Sequence, residues 1–151
     1  MIIDKTQLFQ GLEEGFVKQV SEALEEQLFE QGSYVFHEGD AADSLYILAQ
    51  GKVRLMVGDL GSVAQTVRNA GDVFGWSSLL GPAGYTATAQ CLSPTRVMVI
   101  SGDRLNHLLE NQPAVGLVFF RRVAALVRKR LIDSYRILMT YHSLKKPQSY
   151  G

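Results

Sequence analysis

The stretch from Phe74 to Ala89, FGWSSLLGPAGYTATA, concentrates residue types that can hold a small ligand. A Phe-Gly step leads into Trp76, Ser77 and Ser78. A loop with Gly81, Pro82 and Gly84 follows, and then an alternating Thr-Ala run through Tyr85, Thr86 and Ala87. Glycine lets the backbone approach a ligand closely, and N–H groups that open a helical turn attract an anion. Yet the stretch contains no Arg, Lys or acid; Trp76 and Tyr85 stand where a charge is expected. Its side-chain chemistry is one indole N–H, one phenol O–H, several aliphatic hydroxyls and flat apolar faces. A planar, weakly charged ligand suits such a cradle; equally, the two aromatics can fill it themselves.

Other chemistries lack their residues. His37, His107 and His142 lie far apart, with no His-x-His and no pair at helical ligand spacing, so no metal site is expected. Ser77 and Ser78 have no adjacent histidine and no G-x-S-x-G elbow, and no carboxylate pair stands out, so no enzyme is expected. One cysteine, Cys91, excludes an intramolecular disulfide framework and a multi-cysteine zinc site. In an alternating run it reads as a small buried hydrophobe. No apolar run reaches ~18 residues, and Met1 is not followed by a secretory leader, so a cytoplasmic chain without a membrane span is expected. Net charge is zero but unevenly spread. Residues 1–50 hold ten acids and two bases, whereas residues 116–151 hold eight bases and one acid. The basic end meets the acidic front, meets an anionic partner, or is a solvated helix face.

The elements that must position the cradle follow from periodicity. Residues 1–151 read as one domain. Residues 5–31 show helical spacing (Leu8, Phe9, Leu12, Phe16; Val17, Val20, Leu24, Leu28), broken near Gly11 and Gly15, which predicts two short N-terminal helices. Residues 32–100 hold short β-rich runs between glycines, among them SLYILA, KVRLMVG, YTATAQC and TRVMVI. Such runs argue for an antiparallel β-roll. Asp59-Leu60-Gly61 reads as a turn between two of them. Residues 101–142 return to helices. Ser101 is a candidate N-cap for a short one, and Pro113 opens a long one running to about Tyr141. The polar tail after His142 reads as frayed. The long helix carries a heptad-like seam, Phe120, Ala124, Val127, Leu131, Ser134, Leu138 and Tyr141, beside an apolar face of Phe119, Val123, Leu126 and Ile137. One face covers the roll and the seam pairs with a second copy; alternatively both faces are monomer core.

The order of these pieces resembles the cyclic-nucleotide-binding domain family, of the catabolite-activator type. FHEGDAADSLYILAQGKVRLMV (36–57) is similar to its first half, GDVFGW (71–76) through YTATA (85–89) to its phosphate-binding cassette, and QCLSPTRVMVI to the strand pair that follows. The resemblance covers about residues 5–140. It implies a double-stranded β-helix, or jelly-roll-like β-roll, between N-terminal helices and a long C-terminal helix.

Carried over residue by residue, the resemblance shows what is missing. The cassette's Gly-Glu pair becomes Gly75-Trp76, and its Arg-Ser/Thr-Ala becomes Tyr85-Thr86-Ala87. The small residues persist and both charged ones are gone. Losing the arginine weakens phosphate binding on the order of 100- to 10,000-fold, at ~1.5–3 kcal/mol for each bond to a charged group. Backbone N–H groups around Ser77 and Ser78 remain for an anion. In the activator a hydroxyl pair on the long helix reads the adenine; aligning the helix-opening proline puts Arg130 and Leu131 there. Arg130 either supplies the missing positive charge or is a surface or interchain residue. Haem-binding relatives use a His or Cys ligand, for which Cys91 and His37 qualify by type alone. The resemblance thus implies a dimeric regulatory or sensor domain, read by a protein partner. Its ligand would be a cyclic nucleotide held weakly or another small planar or anionic molecule. A ligandless interaction scaffold and a sensor fragment of a transcription regulator are the alternatives. No helix-turn-helix follows the long helix, so no specific DNA binding is expected.

Overall fold

The computed structural model describes residues 1–58 and 63–145. The turn expected at Asp59-Leu60-Gly61 and the tail from residue 146 lie outside the described residues. Eight strands are described: β1 (Glu25–Phe29), β2 (Tyr34–Phe36), β3 (Ser44–Gln50), β4 (Val53–Val57), β5 (Val63–Val67), β6 (Val73–Phe74), β7 (Thr88–Cys91) and β8 (Thr95–Ser101). The helices are α1 (Glu14–Ala23), α2 (Gly102–Glu110) and α3 (Pro113–Lys145), with 3-10 turns at Ile2–Lys5 and Trp76–Leu79. The strands form two antiparallel sheets, ordered β1-β8-β3-β6 and β2-β7-β4-β5.

The alternation along β3 shows how the layers are made. Leu45 and Ile47 point into a cluster with the helices, while Tyr46 and Leu48 point between the sheets. Strand β8 does the same, with Ile100 in the helical cluster and Val97 and Val99 in the inner one. A strand buried on both faces reads as a continuous apolar run, which is why SLYILA and TRVMVI stand out in the sequence. Each fully buried Leu, Ile or Phe of these clusters adds about 1.5–3 kcal/mol by leaving water. Cys91 is in the inner cluster, 1 % exposed, and burial raises its thiol pKa; it is a core residue, as its alternating run predicts.

The N-terminal segment departs from expectation. Residues 5–31 were expected to be two helices, but only Glu14–Ala23 forms an α-helix, and Glu25–Phe29 is an edge strand. Leu24 and Leu28 have helical spacing and their neighbours are strong helix formers. Pairing of Glu25–Phe29 with Val99–Thr95 of β8 overrides that local preference, and Leu28 is left 72 % exposed. Of the two glycines expected to break the segment, Gly11 lies before α1 at φ +71°, whereas Gly15 lies in its first turn. Glu13 caps α1, its carboxylate accepting from the N–H groups of Gly15 and Phe16 at 2.8 and 2.9 Å.

The C-terminal helices start where the sequence places them. The Ser101 hydroxyl accepts from Arg104 N at 3.0 Å, and Pro113 opens α3. At 33 residues α3 is about 50 Å long, continuing past Tyr141 to Lys145. Phe119 and Val123 sit in the helical core beside Phe9 and Phe16. Arg122 ties the helix to the N-terminal segment, its Nη1 donating to the carbonyls of Gln7, Leu8 and Gln10. Arg122 of the basic end thus grips backbone carbonyls of the front, and among the described residues no base of that end forms an ion pair with an acid of the front.

Candidate functional site

Strand β6 delivers the cradle. It pairs with β3 through Val73–Ile47 and Phe74–Tyr46. Gly75 then turns the chain at φ +80°, and a Cβ there would meet Ser44 O and the Tyr46 ring at 3.0 Å. The left-handed backbone strains any other residue, and a Cβ would need Ser44 O and the Tyr46 ring to give by a few tenths of an ångström. The 3-10 turn Trp76–Leu79 follows. Helix α2 holds it: Asn106 Nδ2 donates to Leu79 O at 3.2 Å, and Gly102 lies so close that a methyl would overlap Ser78 O.

The returning loop is fixed just as firmly. Tyr85 N donates to Asp40 O and Gly39 N donates to Tyr85 O, each at 2.9 Å. The Tyr85 ring stacks on Phe36 at 3.7 Å between centroids, 12° from parallel. Its hydroxyl donates to Ser44 O at 2.8 Å and accepts from Ser44 N at 3.0 Å. Burial raises the pKa values of both Tyr85 and Tyr46, so both hydroxyls stay protonated at neutral pH. The phenol proton that the sequence offered to a ligand is thus committed to β3.

One cavity of about 240 Å³ opens beside this turn. Gly75, Trp76 and Ser77 line it from the turn, and Tyr85, Thr86 and Ala87 from the returning loop. Arg130 and Leu131 line it from α3. Of the residues singled out in the sequence, Ser78 is not in its wall. The Ser78 N–H and hydroxyl both donate to Gly75 O, at 3.2 and 2.8 Å, and the side chain is buried. The expected pair of anion-binding N–H groups is therefore reduced by one.

The position of Arg130 changes the electrostatics. Its guanidinium stacks over the Trp76 ring, 4.1 Å from the centroid, and Nη2 donates to Val73 O at 2.6 Å. Burial pulls its pKa down to about 10, opposed by Asp72 and Asp133, so it remains charged at neutral pH. Among the described residues Arg130 is the one lining residue with a formal charge, and no carboxylate lines the cavity. The cassette stretch itself is neutral; of the two placements left open for Arg130, the structure has the one that puts a cation in the wall.

Further residues complete the wall. Leu55, Val57 and Gln65 come from β4 and β5, Phe36 from β2, and Val127 and Ser134 from α3. Gln65 Nε2 donates to Ser134 Oγ at 2.7 Å and to Arg130 O at 3.0 Å, pinning the helix to the sheet over the cavity. The run KVRLMVG already marked β4 as a strand; nothing local marked Gln65. Along the heptad-like seam, Ser134 is turned to Gln65, and Phe120 packs against the helical core. Val127, Leu131, Leu138 and Tyr141 are 38–49 % exposed, Ala124 is exposed, and Tyr135 (55 %) extends the same open face. Among the described residues no group of three or more His, Cys, Asp or Glu could hold a metal, and no helix is long and apolar enough to cross a membrane.

A jelly-roll domain with a ligand-sized cavity closed by its C-terminal helix is what fold and site define. The chain belongs to the cyclic nucleotide-binding domain family, whose model matches residues 26–112. It is 31 % identical over 129 residues to the cyclic AMP receptor protein of Thermus thermophilus, covering 84 % of this chain and 58 % of that protein. The chain thus spans well under two-thirds of that relative's length. Among solved structures it is similar to a candidate cyclic nucleotide-binding protein from Geobacter metallireducens (36 % identity, TM-score 0.73, covering 84 % of this chain and 93 % of the other). It is also similar to the N-terminal domain of a transcriptional regulator from Streptomyces coelicolor (25 % identity, TM-score 0.68, covering 88 % and 94 %).

Proposed function

We propose that this chain is a regulatory sensor domain that binds a small molecule in the roll cavity and reports it through α3. The observation that carries this is the shared wall: the cassette turn, the returning loop and the exit helix all line one cavity. A ligand there touches the helix directly, so a difference in its affinity for two helix positions shifts their populations. The cavity favours sensing over a plugged scaffold, because Tyr85 lies flat on Phe36 and Trp76 lies under Arg130, leaving space between them.

The open face of α3 pairs with a second copy, and a protein partner reads the altered pair. The resemblance to a regulator's N-terminal domain supports a place in transcription-related control. The domain works by binding, not catalysis. Cyclic nucleotides are weak ligands, since Trp76 stands where a carboxylate would hold the ribose and Tyr85 where a guanidinium would hold the phosphate. Native mass spectrometry of freshly purified protein tests the sensor reading. The expected spectrum shows a dimer with retained small-molecule mass, or one that takes up added ligand. A monomer that binds nothing contradicts it.

A further inference from the structure

We infer that the ligand is a compact organic monoanion: a flat apolar body bearing one carboxylate-like group, with Arg130 as its ion partner. This rests on the roll cavity being the sensor site. Among the described residues the wall supplies one positive charge and no negative one. Arg130 makes no salt bridge among the described residues; the ion pairs there are Met1–Asp4, His37–Asp40 and Arg96–Glu26. Its one hydrogen bond, to Val73 O, uses one of five guanidinium donors. Trp76 occupies a face of the fork, so the remaining donors at the edge are those that can meet an anion side-on.

The rest of the wall fixes the body. Phe36, Leu55, Val57, Val127 and Leu131 are apolar and offer a sugar nothing to bond. Ser134 Oγ accepts from Gln65, which leaves its O–H to donate to an anion beside Arg130. The volume of about 240 Å³ is below the ~300–1,000 Å³ of pockets that take drug-sized ligands. One or two fused rings fit that description. The partly desolvated guanidinium feels Asp72 and Asp133 but makes an ion-pair contact with neither, and an anion bound in the cavity supplies that contact.

The test is calorimetry with 1-naphthoate and its neutral isostere 1-naphthamide, with fluorescence of Trp76, the single tryptophan, as a second readout from within the cavity wall. Naphthoate is expected to bind about 10- to 100-fold more tightly than the amide, the worth of hydrogen bonds to a charged group. Arg130→Gln brings the two compounds level while the amide still binds. Arg130→Lys, which keeps charge without the fork, retains a smaller preference. Equal binding of both compounds to the unmodified protein, or a preference that survives Arg130→Gln, overturns the anion assignment and leaves the sensor site standing. Binding of neither, with no retained mass in the native spectrum, overturns both.

Discussion

Ala124→Glu combined with Leu138→Glu is expected to turn a dimer into a monomer, read by sedimentation velocity as a fall from twice the 16.7 kDa chain mass to a single chain. Both residues lie on the open face of α3, and neither lines the cavity. In one chain the carboxylates are solvated, so the fold and its melting temperature should hardly change. In a pair across this face, four carboxylates are brought together without partners. Uncompensated buried charge costs about 3–5 kcal/mol or more, so association should weaken by roughly a hundred- to several-thousandfold. A double variant that remains dimeric would place the subunit contact elsewhere and remove the helix pair from the sensing route.

Phe119→Ala is expected to be the most damaging single truncation in α3. Phe119 is fully buried, with its ring centroid 5.4 Å from that of Phe9 and 5.5 Å from that of Phe120. Removing a buried Phe costs about 3–5 kcal/mol, which in a domain of this size lowers Tm by about 6–20 °C. The effect reaches the cavity. Phe119, Val123 and Leu126 seat the inner face of α3 on the core, and Arg130 is the next residue along that face. Leu144→Ala, at an 81 % exposed position, is the control and should change stability by no more than about 0.5 kcal/mol. Thermal melts of the two variants decide this. A Phe119→Ala protein as stable as the control would mean the helix does not depend on that seat.

The sequence disclosed those parts whose local pattern and tertiary role agree. Strands β3 and β8, buried on both faces, are legible as apolar runs, and the Ser101 cap and Pro113 mark the helix starts. Strand β1 was illegible because its residues favour helix and only pairing with β8, some 70 positions away, makes it a strand. Strand β6 is two residues long, too short to show alternation.

The cradle divides in the same way. Gly75, Trp76, Ser77 and Thr86 were visible as residue types at cassette spacing. Whether Arg130 faces the cavity depends on the rotation of α3 against the roll, which no local motif encodes. In hindsight the signal is the inward stripe Phe119-Val123-Leu126, stepping by four and three. The next step of four lands on Arg130, a charged residue in an otherwise apolar register. Gln65, whose amide joins β5 to α3, left no trace because its bonds go to Arg130 O and Ser134, 65 and 69 positions away.

Calorimetric titration with cyclic AMP and cyclic GMP tests most directly whether the ionic nucleotide grips have been replaced by Trp76 and Tyr85. A micromolar ligand that loses its phosphate and ribose partners should weaken about 100-fold or more, so dissociation constants of roughly 100 µM or above are predicted for both. Saturable sub-micromolar binding of either nucleotide would contradict the account, because Arg130 would then be making good on its own both the ribose-holding carboxylate and the cassette guanidinium that Trp76 and Tyr85 replace.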